Sequence, residues 1–280
     1  QNDRAHMEKL SQISGRPLLW NVVQAYDHKP EVHRSALRWL DDCRDRGVRV
    51  YGQGLTTDAG FTFTFEDWNL WDDRPAWRAA TVGTVVERLE KLADPDRREA
   101  LKAQGPLTVT GPIRDIVITG PRTEETEKYL DHTVGQVAEA LGKHAVDAML
   151  DIAVAGELKV LFRTSDIASL DPEKVGELAR CQYVMPGVSD GGAHTKFFTG
   201  GSFPTDLIAW LVRETGQLTL EQAHYRLSYL PAQAAGFLDR GFLRLGAPAD
   251  IVVYDYENLR RVPEVDYEVA WDFPANEWRR

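Results

Sequence analysis

Residues 183–194 have the sequence YVMPGVSDGGAH, in which a short apolar run ends in an acidic residue, two glycines and a histidine. This pattern is typical of a buried strand that leads into a polar loop. In an α/β barrel the reactive groups lie on the loops that follow the strands. Gly191 and Gly192 allow a sharp turn with the backbone close to a bound ligand. The segment therefore predicts an α/β fold in which Asp190 points into an active site.

A strand, a helix and a second strand are predicted near the start of the chain. Residues 17–24 (PLLWNVVQ) are an apolar run of strand length, residues 30–46 have their apolar side chains on one helical face, and residues 48–53 form the next strand. Pro30 suits the first turn of this helix and Gly47 suits its end. The order predicts two parallel strands joined by a right-handed crossover.

A second unit of this kind is predicted over residues 159–163, 171–180 and 184–190. The chain then has about four barrel strands, whereas a complete barrel has about eight. Residues 249–254 (ADIVVY) form another apolar run after the last predicted helix, and we expect a strand there.

Three further motifs extend the pattern around Asp190. They are LSYLPA at 227–232, GFLRLGAPADIVVYD at 241–255 and GQVAEALGKHAVDAMLDIAVAGELKVLFRTSD at 135–166. Taken in their order along the chain, the motifs resemble the C-terminal part of amidohydrolase-superfamily enzymes of the N-acyl-D-amino-acid deacylase (D-aminoacylase) type.

The resemblance implies the C-terminal half of a TIM-like (β/α)8 metal-dependent hydrolase barrel, plus a strand of a small β-sandwich domain. The partial barrel would occupy residues 1–235, with an excursion at about 55–130, and residues 236–280 would hold the return strand and a C-terminal tail. The chain starts with Gln1 rather than Met, and we expect it to be cut from a longer one. The metal ligands of the first barrel strand would then precede residue 1.

The implied reaction is metal-dependent hydrolysis of a carbon–nitrogen bond other than a peptide bond, in a small-molecule amide that we expect to be an N-acyl amino acid. One or two divalent metal ions, expected to be zinc, would polarise the carbonyl and activate water. Asp190 would bind the metal or face its water, acting first as general base and then as general acid. In a purely structural interpretation, Asp190 caps the turn that follows it.

Other candidate site residues lie near Asp190 or at strand ends. His194 could polarise the substrate, orient Asp190 or hydrogen-bond within its loop. Gly191 and Gly192 would line the substrate. Lys196 and Arg163 could bind a substrate carboxylate, which Arg contacts in bidentate fashion.

The chain departs from the family where the fifth and sixth barrel strands normally supply histidines. Asn21 occupies the first of these places, and Gln53 or Tyr51 the second. Amide side chains are poor zinc ligands. Three interpretations stay open: a different strand register, a mononuclear centre, or the loss of metal chemistry.

The aromatic residues at 61–77 are expected to cover the barrel mouth or a neighbouring subunit, or else to form the wall of an acyl-chain site. Cys43 and Cys181 have no metal-type or redox-type spacing, and we expect buried free thiols in a reducing compartment. The other histidines, His132 least clearly, are expected to have surface or packing roles.

Composition limits the partners. The 280 residues are 43% hydrophobic and 27% charged, as in ordinary globular proteins. The net charge of −10 disfavours nucleic acid and anionic membranes as partners, and the absence of a long apolar run or signal peptide makes the cytoplasm the expected location. An incomplete barrel exposes a sheet edge, so this chain alone should be inactive and prone to form homo-oligomers.

Two alternatives to an N-acyl amino acid hydrolase stay open. The first is an enzyme that hydrolyses a cyclic amide, like a hydantoinase or dihydroorotase. The second is a metal-free barrel relative that acts as a binding module.

Overall fold

Strands and helices of the computed structural model are described over residues 2–67, 70–71, 73–104, 111–190, 200–260, 270–272 and 277–279. The strands are β1 (Leu18–Val23), β2 (Val50–Leu55), β3 (Thr62–Phe63), β4 (Val117–Gly120), β5 (Leu161–Arg163), β6 (Val184–Gly187), β7 (Ala270–Asp272) and β8 (Glu277–Arg279). The α-helices are α1 (Asn2–Ser14), α2 (Pro30–Asp45), α3 (Pro75–Thr81), α4 (Val85–Ala93), α5 (Pro95–Ala103), α6 (Glu124–Glu127), α7 (Val134–Leu141), α8 (Ala145–Ala155), α9 (Pro172–Arg180), α10 (Phe203–Asp206), α11 (Leu220–His224) and α12 (Leu230–Ala235). Residues Ile113–Asp115 form a 3-10 helix, and Leu207–Glu214 and Tyr225–Tyr229 are π-helical. Across these ranges, no helix has both the length and the apolarity that crossing a membrane requires.

The predicted strand–helix–strand unit is present as β1, α2 and β2. Pro30 begins α2, where its missing N–H is tolerated, and Gly47 ends the turn after the helix with a φ of 69°. β1 pairs with β2 and β2 pairs with β6, both in parallel, so the sheet order is β1-β2-β6. The chain therefore builds a parallel sheet, as predicted for this part of the sequence.

The two faces of this parallel sheet differ. One face packs Val23, Val50 and Val184 against Leu40 of α2 and Leu178 of α9. The other face carries Leu19, Asn21, Tyr51, Gln53 and Met185. Of these, Tyr51 and Met185 are buried against Leu230 and Ala234 of α12. Parallel sheets are usually buried on both faces. In the described residues the second face is partly open.

The chain divides into two compact units, of which one contains residues 60–167 and the other contains the described residues before and after that range. In the 60–167 unit the sheet order is β3-β5-β4, and β5 pairs antiparallel with both neighbours. The strand predicted at 159–163 thus exists as β5, but the prediction that it forms a parallel unit with β6 is wrong. A short apolar run indicates a buried strand without indicating its partner.

The aromatic residues of the 60–167 unit form its core. Phe63 stacks on Phe162 with ring centroids 5.5 Å apart, and Trp71 stacks on Trp77 at 5.2 Å. All four side chains are buried, as is Phe65. These residues pack against one another, so they form a buried core rather than an exposed aromatic surface. Trp68 lies outside the described residues.

Residues 249–254 are not a strand, contrary to the sequence-based prediction. A strand needs a neighbour for its backbone N–H and C=O groups, and the structure gives this run none among the residues it describes. Ile251, Val252 and Val253 are 62%, 85% and 91% exposed. The only strand pairing described in the C-terminal segment is the antiparallel pair of β7 and β8.

Both cysteines are buried and free, as predicted. Burial raises the pKa of the Cys43 thiol to about 11 and that of the Cys181 thiol to about 11. A thiol with so high a pKa is protonated at neutral pH, which makes it a poor nucleophile and metal ligand. Both residues therefore have packing roles.

Candidate active site

The carboxyl ends of β1, β2 and β6 meet at one edge of the parallel sheet. Asn21 lies opposite Gln53, Gln53 lies opposite Met185, and Leu55 lies opposite Gly187. Loops that leave this edge carry the reactive groups in α/β folds of this kind. The candidate site is therefore built at the ends of these strands.

Asp190 lies on the loop that leaves β6 at this edge. It follows Gly187 by three residues, is half-buried, and has a left-handed φ of 47°. Asp is among the few residues other than Gly that adopt this conformation readily. The preceding Ser189 carbonyl accepts a 2.8 Å hydrogen bond from the Gly200 N–H, which ties the loop to the start of the segment before α10.

The other residues predicted on the Asp190 loop cannot be compared with the structure. Gly191, Gly192, His194 and Lys196 lie outside the described residues. Their roles stay predictions.

Arg163, predicted to bind a substrate carboxylate, lies on β5 in the 60–167 unit. Its Nη2 donates a 2.8 Å hydrogen bond to Asp166 Oδ1 in an ion pair. A Cβ added to Gly60 would lie 2.5 Å from Arg163 Cζ, so the guanidinium packs directly on the Gly60 backbone. The guanidinium thus has a carboxylate partner within its own unit, and its role toward a substrate stays a prediction.

Asn21 and Gln53 lie on the partly open face of the parallel sheet. Neither side chain hydrogen-bonds to another residue in the part of the chain that the structure describes. Asn21 is exposed and Gln53 is half-buried. A Cβ added to Gly187 would lie 3.9 Å from the Cβ and from the Nε2 of Gln53, so the glycine leaves the Gln53 amide uncovered on that side.

A cluster that sequence reasoning missed lies near the same sheet edge, and we call Thr57, Ser202 and Asp206 the Asp206 cluster. Asp206 is only 8% exposed, and its Oδ2 accepts hydrogen bonds from the hydroxyls of Thr57 and Ser202, the latter at 3.1 Å. Thr57 follows β2 and Ser202 precedes α10. The cluster therefore joins the segment after β2 to the start of α10. In the sequence Asp206 shows only as an acidic residue in the first turn of a helix, where a negative charge is favourable whether or not it has other partners.

Two histidines of the described residues have the packing or capping roles that the sequence predicts. His33 is fully buried, its Nδ1 accepts a hydrogen bond from the Tyr26 N–H at 3.4 Å, and its Nε2 lies 3.2 Å from Glu177 Oε2. His144 caps α8 by accepting from the Val146 N–H. Among the described residues, no group of three or more His, Cys, Asp or Glu side chains could hold a metal ion.

The donor chemistry at the strand ends does not fit zinc. Asn21 and Gln53, which are partners across β1 and β2, carry carboxamides, whereas zinc prefers imidazole, thiolate and carboxylate. Carboxyl groups of the described residues near this edge include Asp58, Asp190 and Asp206, and Asp206 is already bonded to two hydroxyls. The described part of the chain therefore gives no zinc ligand set.

The fold is similar to that of a solved deacylase. The crystal structure of N-acyl-D-glutamate deacylase from Bordetella bronchiseptica, complexed with zinc and a phosphonate inhibitor that mimics the tetrahedral intermediate of the reaction, matches this chain with a TM-score of 0.51 and 20% identity. The match covers 91% of this chain and 44% of that chain. The architecture is thus a mixed α/β fold similar to that of this deacylase.

Sequence comparison gives the particular relatives. No protein-family model matches the chain. The N-acyl-D-glutamate deacylase of Alcaligenes xylosoxydans xylosoxydans is 32% identical over 146 residues, which cover 51% of this chain and 27% of that protein. An uncharacterised protein of Mycobacterium tuberculosis is 29% identical over 234 residues, which cover 76% of this chain. The predicted resemblance to an N-acyl-D-amino-acid deacylase is therefore confirmed. The chain spans 38% of the length of the mycobacterial relative.

Proposed function

We propose that this protein hydrolyses the amide bond of an N-acyl amino acid. The observation that carries the proposal is the placement of Asp190, on the loop after β6 at the carboxyl edge of a parallel sheet. The sequence similarity to an N-acyl-D-glutamate deacylase supports the substrate class, and the fold similarity to a solved deacylase supports the architecture.

In this proposal Asp190 moves the proton. Its carboxylate accepts a proton from the water that attacks the acyl carbonyl, and it returns that proton to the amine nitrogen as the carbon–nitrogen bond breaks. The products are a carboxylic acid and a free amino acid. The half-buried position of Asp190 suits this role, because the residue is accessible to solvent water.

Zinc is present in the solved relative, but we assign no zinc ligation to β1 and β2 of this chain. The side chains at these strand ends are the carboxamides Asn21 and Gln53, which zinc does not favour.

We propose further that β1, β2 and β6 are strands of a (β/α) barrel. Helices α2 and α9 cover one face of the sheet, as the outer helices of a barrel do. The partly open face with Asn21 and Gln53 would then face the barrel interior.

Substitution of Asp190 tests the proposed reaction. In the encoded protein at its full length, Asp190→Asn keeps the size of the side chain but removes its basicity. We expect kcat for N-acetyl-D-glutamate to fall about 10²- to 10⁴-fold, as for the loss of a general base, with release of acetate as the readout. The matched control is Asp239→Asn at an exposed position, which should leave turnover unchanged. Full turnover by Asp190→Asn would remove Asp190 from the mechanism.

A second candidate function is binding of the N-acyl amino acid without hydrolysis. The observation that favours it is the pair of carboxamides where metal ligands are expected from the resemblance. Under this candidate, the unsubstituted protein binds N-acetyl-D-glutamate but releases no acetate. The same assay therefore separates the two functions.

A further inference from the structure

Asn21 and Gln53 form a pair of carboxamides on neighbouring strands. They are direct partners in the parallel register of β1 and β2, so both side chains project from the same face of the sheet. Neighbouring strands lie about 4.8 Å apart, which brings the two amide groups within reach of one small ligand. Gln53 is in turn the partner of Met185 on β6, the strand that leads to Asp190.

These two carboxamides have hydrogen-bonding capacity that the described protein does not use. Each amide has two N–H donors and one C=O acceptor. Gln53 is half-buried, and neither amide is bonded to another residue in the described ranges. Polar groups withdrawn from solvent normally have a partner. At a candidate active site, an unused carboxamide of this kind is available to a ligand.

Gly187 keeps the Gln53 amide accessible. A Cβ at this position would already contact Gln53 Nε2, at 3.9 Å, and the longer side chains of other residues would extend over the amide. The backbone carbonyl of Gly187 accepts from the Thr56 N–H at 3.1 Å, which holds the ends of β2 and β6 side by side. The space beside Gln53 thus lies at the strand end from which the Asp190 loop departs.

The chemistry of the pair matches a neutral amide better than a metal or a charged group. A substrate amide has one C=O acceptor and one N–H donor, and two carboxamides can satisfy both. They carry no charge to balance a cation, and their oxygens are weak ligands for zinc. We infer that Asn21 and Gln53 bind the amide group of the N-acylated substrate directly. This inference rests on the proposed function for the class of substrate.

The test measures binding in a background that cannot turn the probe over. The encoded protein carrying Asp190→Asn is titrated calorimetrically with N-acetyl-D-glutamate and, separately, with D-glutamate, which lacks the amide. We expect Asn21→Leu and Gln53→Leu each to raise the Kd for N-acetyl-D-glutamate about tenfold, as for the loss of a hydrogen bond, and to leave the Kd for D-glutamate unchanged. Gln12→Leu, an exposed Gln of α1, is the matched control and should change neither Kd.

Zinc content and a second variant make the outcome decisive. The amount of zinc per chain, measured by mass spectrometry of the metal, should be the same in the parent and in both Leu variants. Gln53→Met keeps the length of the side chain without its hydrogen bonds, and we expect it to fold and to raise the Kd as Gln53→Leu does.

Three results would overturn the inference: an unchanged Kd for N-acetyl-D-glutamate in the variants, a loss of zinc on substitution of Asn21 or Gln53, or no binding of N-acetyl-D-glutamate by the parent. The proposed hydrolysis fails separately, when protein with Asp190 intact binds N-acetyl-D-glutamate and releases no acetate. The inference would stand in that case.

Discussion

Two acidic residues on the segment that follows β6 have different surroundings. Asp190 is half-buried on the loop where the strand ends, whereas Asp206 is buried and accepts hydrogen bonds from two hydroxyl groups. An acidic group that reaches solvent can exchange protons with water and ligand. A buried one held by hydroxyls is better suited to fixing the backbone around it. The surroundings of Asp190 are thus compatible with the proton transfer proposed for it, whereas those of Asp206 indicate a role in positioning the backbone.

The structural role of Asp206 predicts a loss of stability on its truncation. Asp206→Ala removes the acceptor for the buried Thr57 hydroxyl and for Ser202, and we expect the free energy of unfolding to fall by about 2 kcal/mol. Urea unfolding of the encoded protein measures this change. Ser202→Ala, which removes only one of the two donors, should cost less. An unchanged urea midpoint in Asp206→Ala would show that the cluster does not stabilise the fold.

At the scale of elements, local patterns predicted helices and strands well but not strand partners. The apolar face of residues 30–46 and the runs on either side became α2, β1 and β2, because a short crossover makes neighbouring strands pair. The run at 159–163 became a strand in an antiparallel sheet, and the run at 249–254 remained unpaired. Strand pairing depends on residues that are distant in sequence, and the periodicity of apolar residues within one segment does not indicate them.

In the candidate site, too, features that are local in sequence could be predicted and contacts between distant residues could not. The position of Asp190 directly after a strand could be predicted from the apolar run that precedes it, and its role in catalysis stays a prediction. The Asp206 cluster could not, since Thr57 and Asp206 are separated by 149 positions. The unused hydrogen bonds of Asn21 and Gln53 became evident only from their register across two strands.

An ion pair links α2 to α9 and predicts a pH dependence. Arg34 donates to Glu177 through Nη2 at 2.7 Å and through Nε at 2.9 Å, and His33 Nε2 lies 3.2 Å from the same carboxylate. The pKa of Glu177 is lowered, chiefly by the hydrogen bonds from Arg34. Burial opposes this shift, and the hydrogen bond with His33 adds to it. A folded pKa below the unfolded one means that the pair stabilises the protein above about pH 4.3, the usual Glu pKa. This stability is lost as the pH falls through the lower, folded pKa.

The pH dependence can be measured by comparing Glu177→Gln with the parent protein. We expect the variant to unfold at lower urea concentration at pH 7, and the two midpoints to converge as the pH falls below about 4.3. Glu173→Gln makes the same change of charge one turn earlier on α9, at an exposed position, and should show no such convergence. A difference that persists unchanged into acid would mean that Glu177 acts through packing rather than charge.

At the scale of the whole molecule, the described residues include exposed strand edges and an exposed run of apolar side chains. In the sheet β1-β2-β6 the two outer strands are edges, and residues 251–253 expose three β-branched side chains in a row. Exposed strand edges and apolar runs favour association between chains, and charged side chains oppose it. The net charge of −10 keeps molecules apart at long range but does not cover this run.

We therefore predict that the 280-residue chain self-associates through residues 251–253. Size-exclusion chromatography with light scattering should give a mass that exceeds one chain and rises with concentration. Val252→Lys combined with Val253→Lys should shift the mass toward one chain without loss of stability, because both side chains are exposed and the added charges repel between copies. Val86→Lys in α4, an exposed apolar position at 64% that lies outside the run, should leave the mass unchanged. A parent chain that stays at the mass of one chain at every concentration, or a double variant that associates as strongly as the parent, would contradict this prediction.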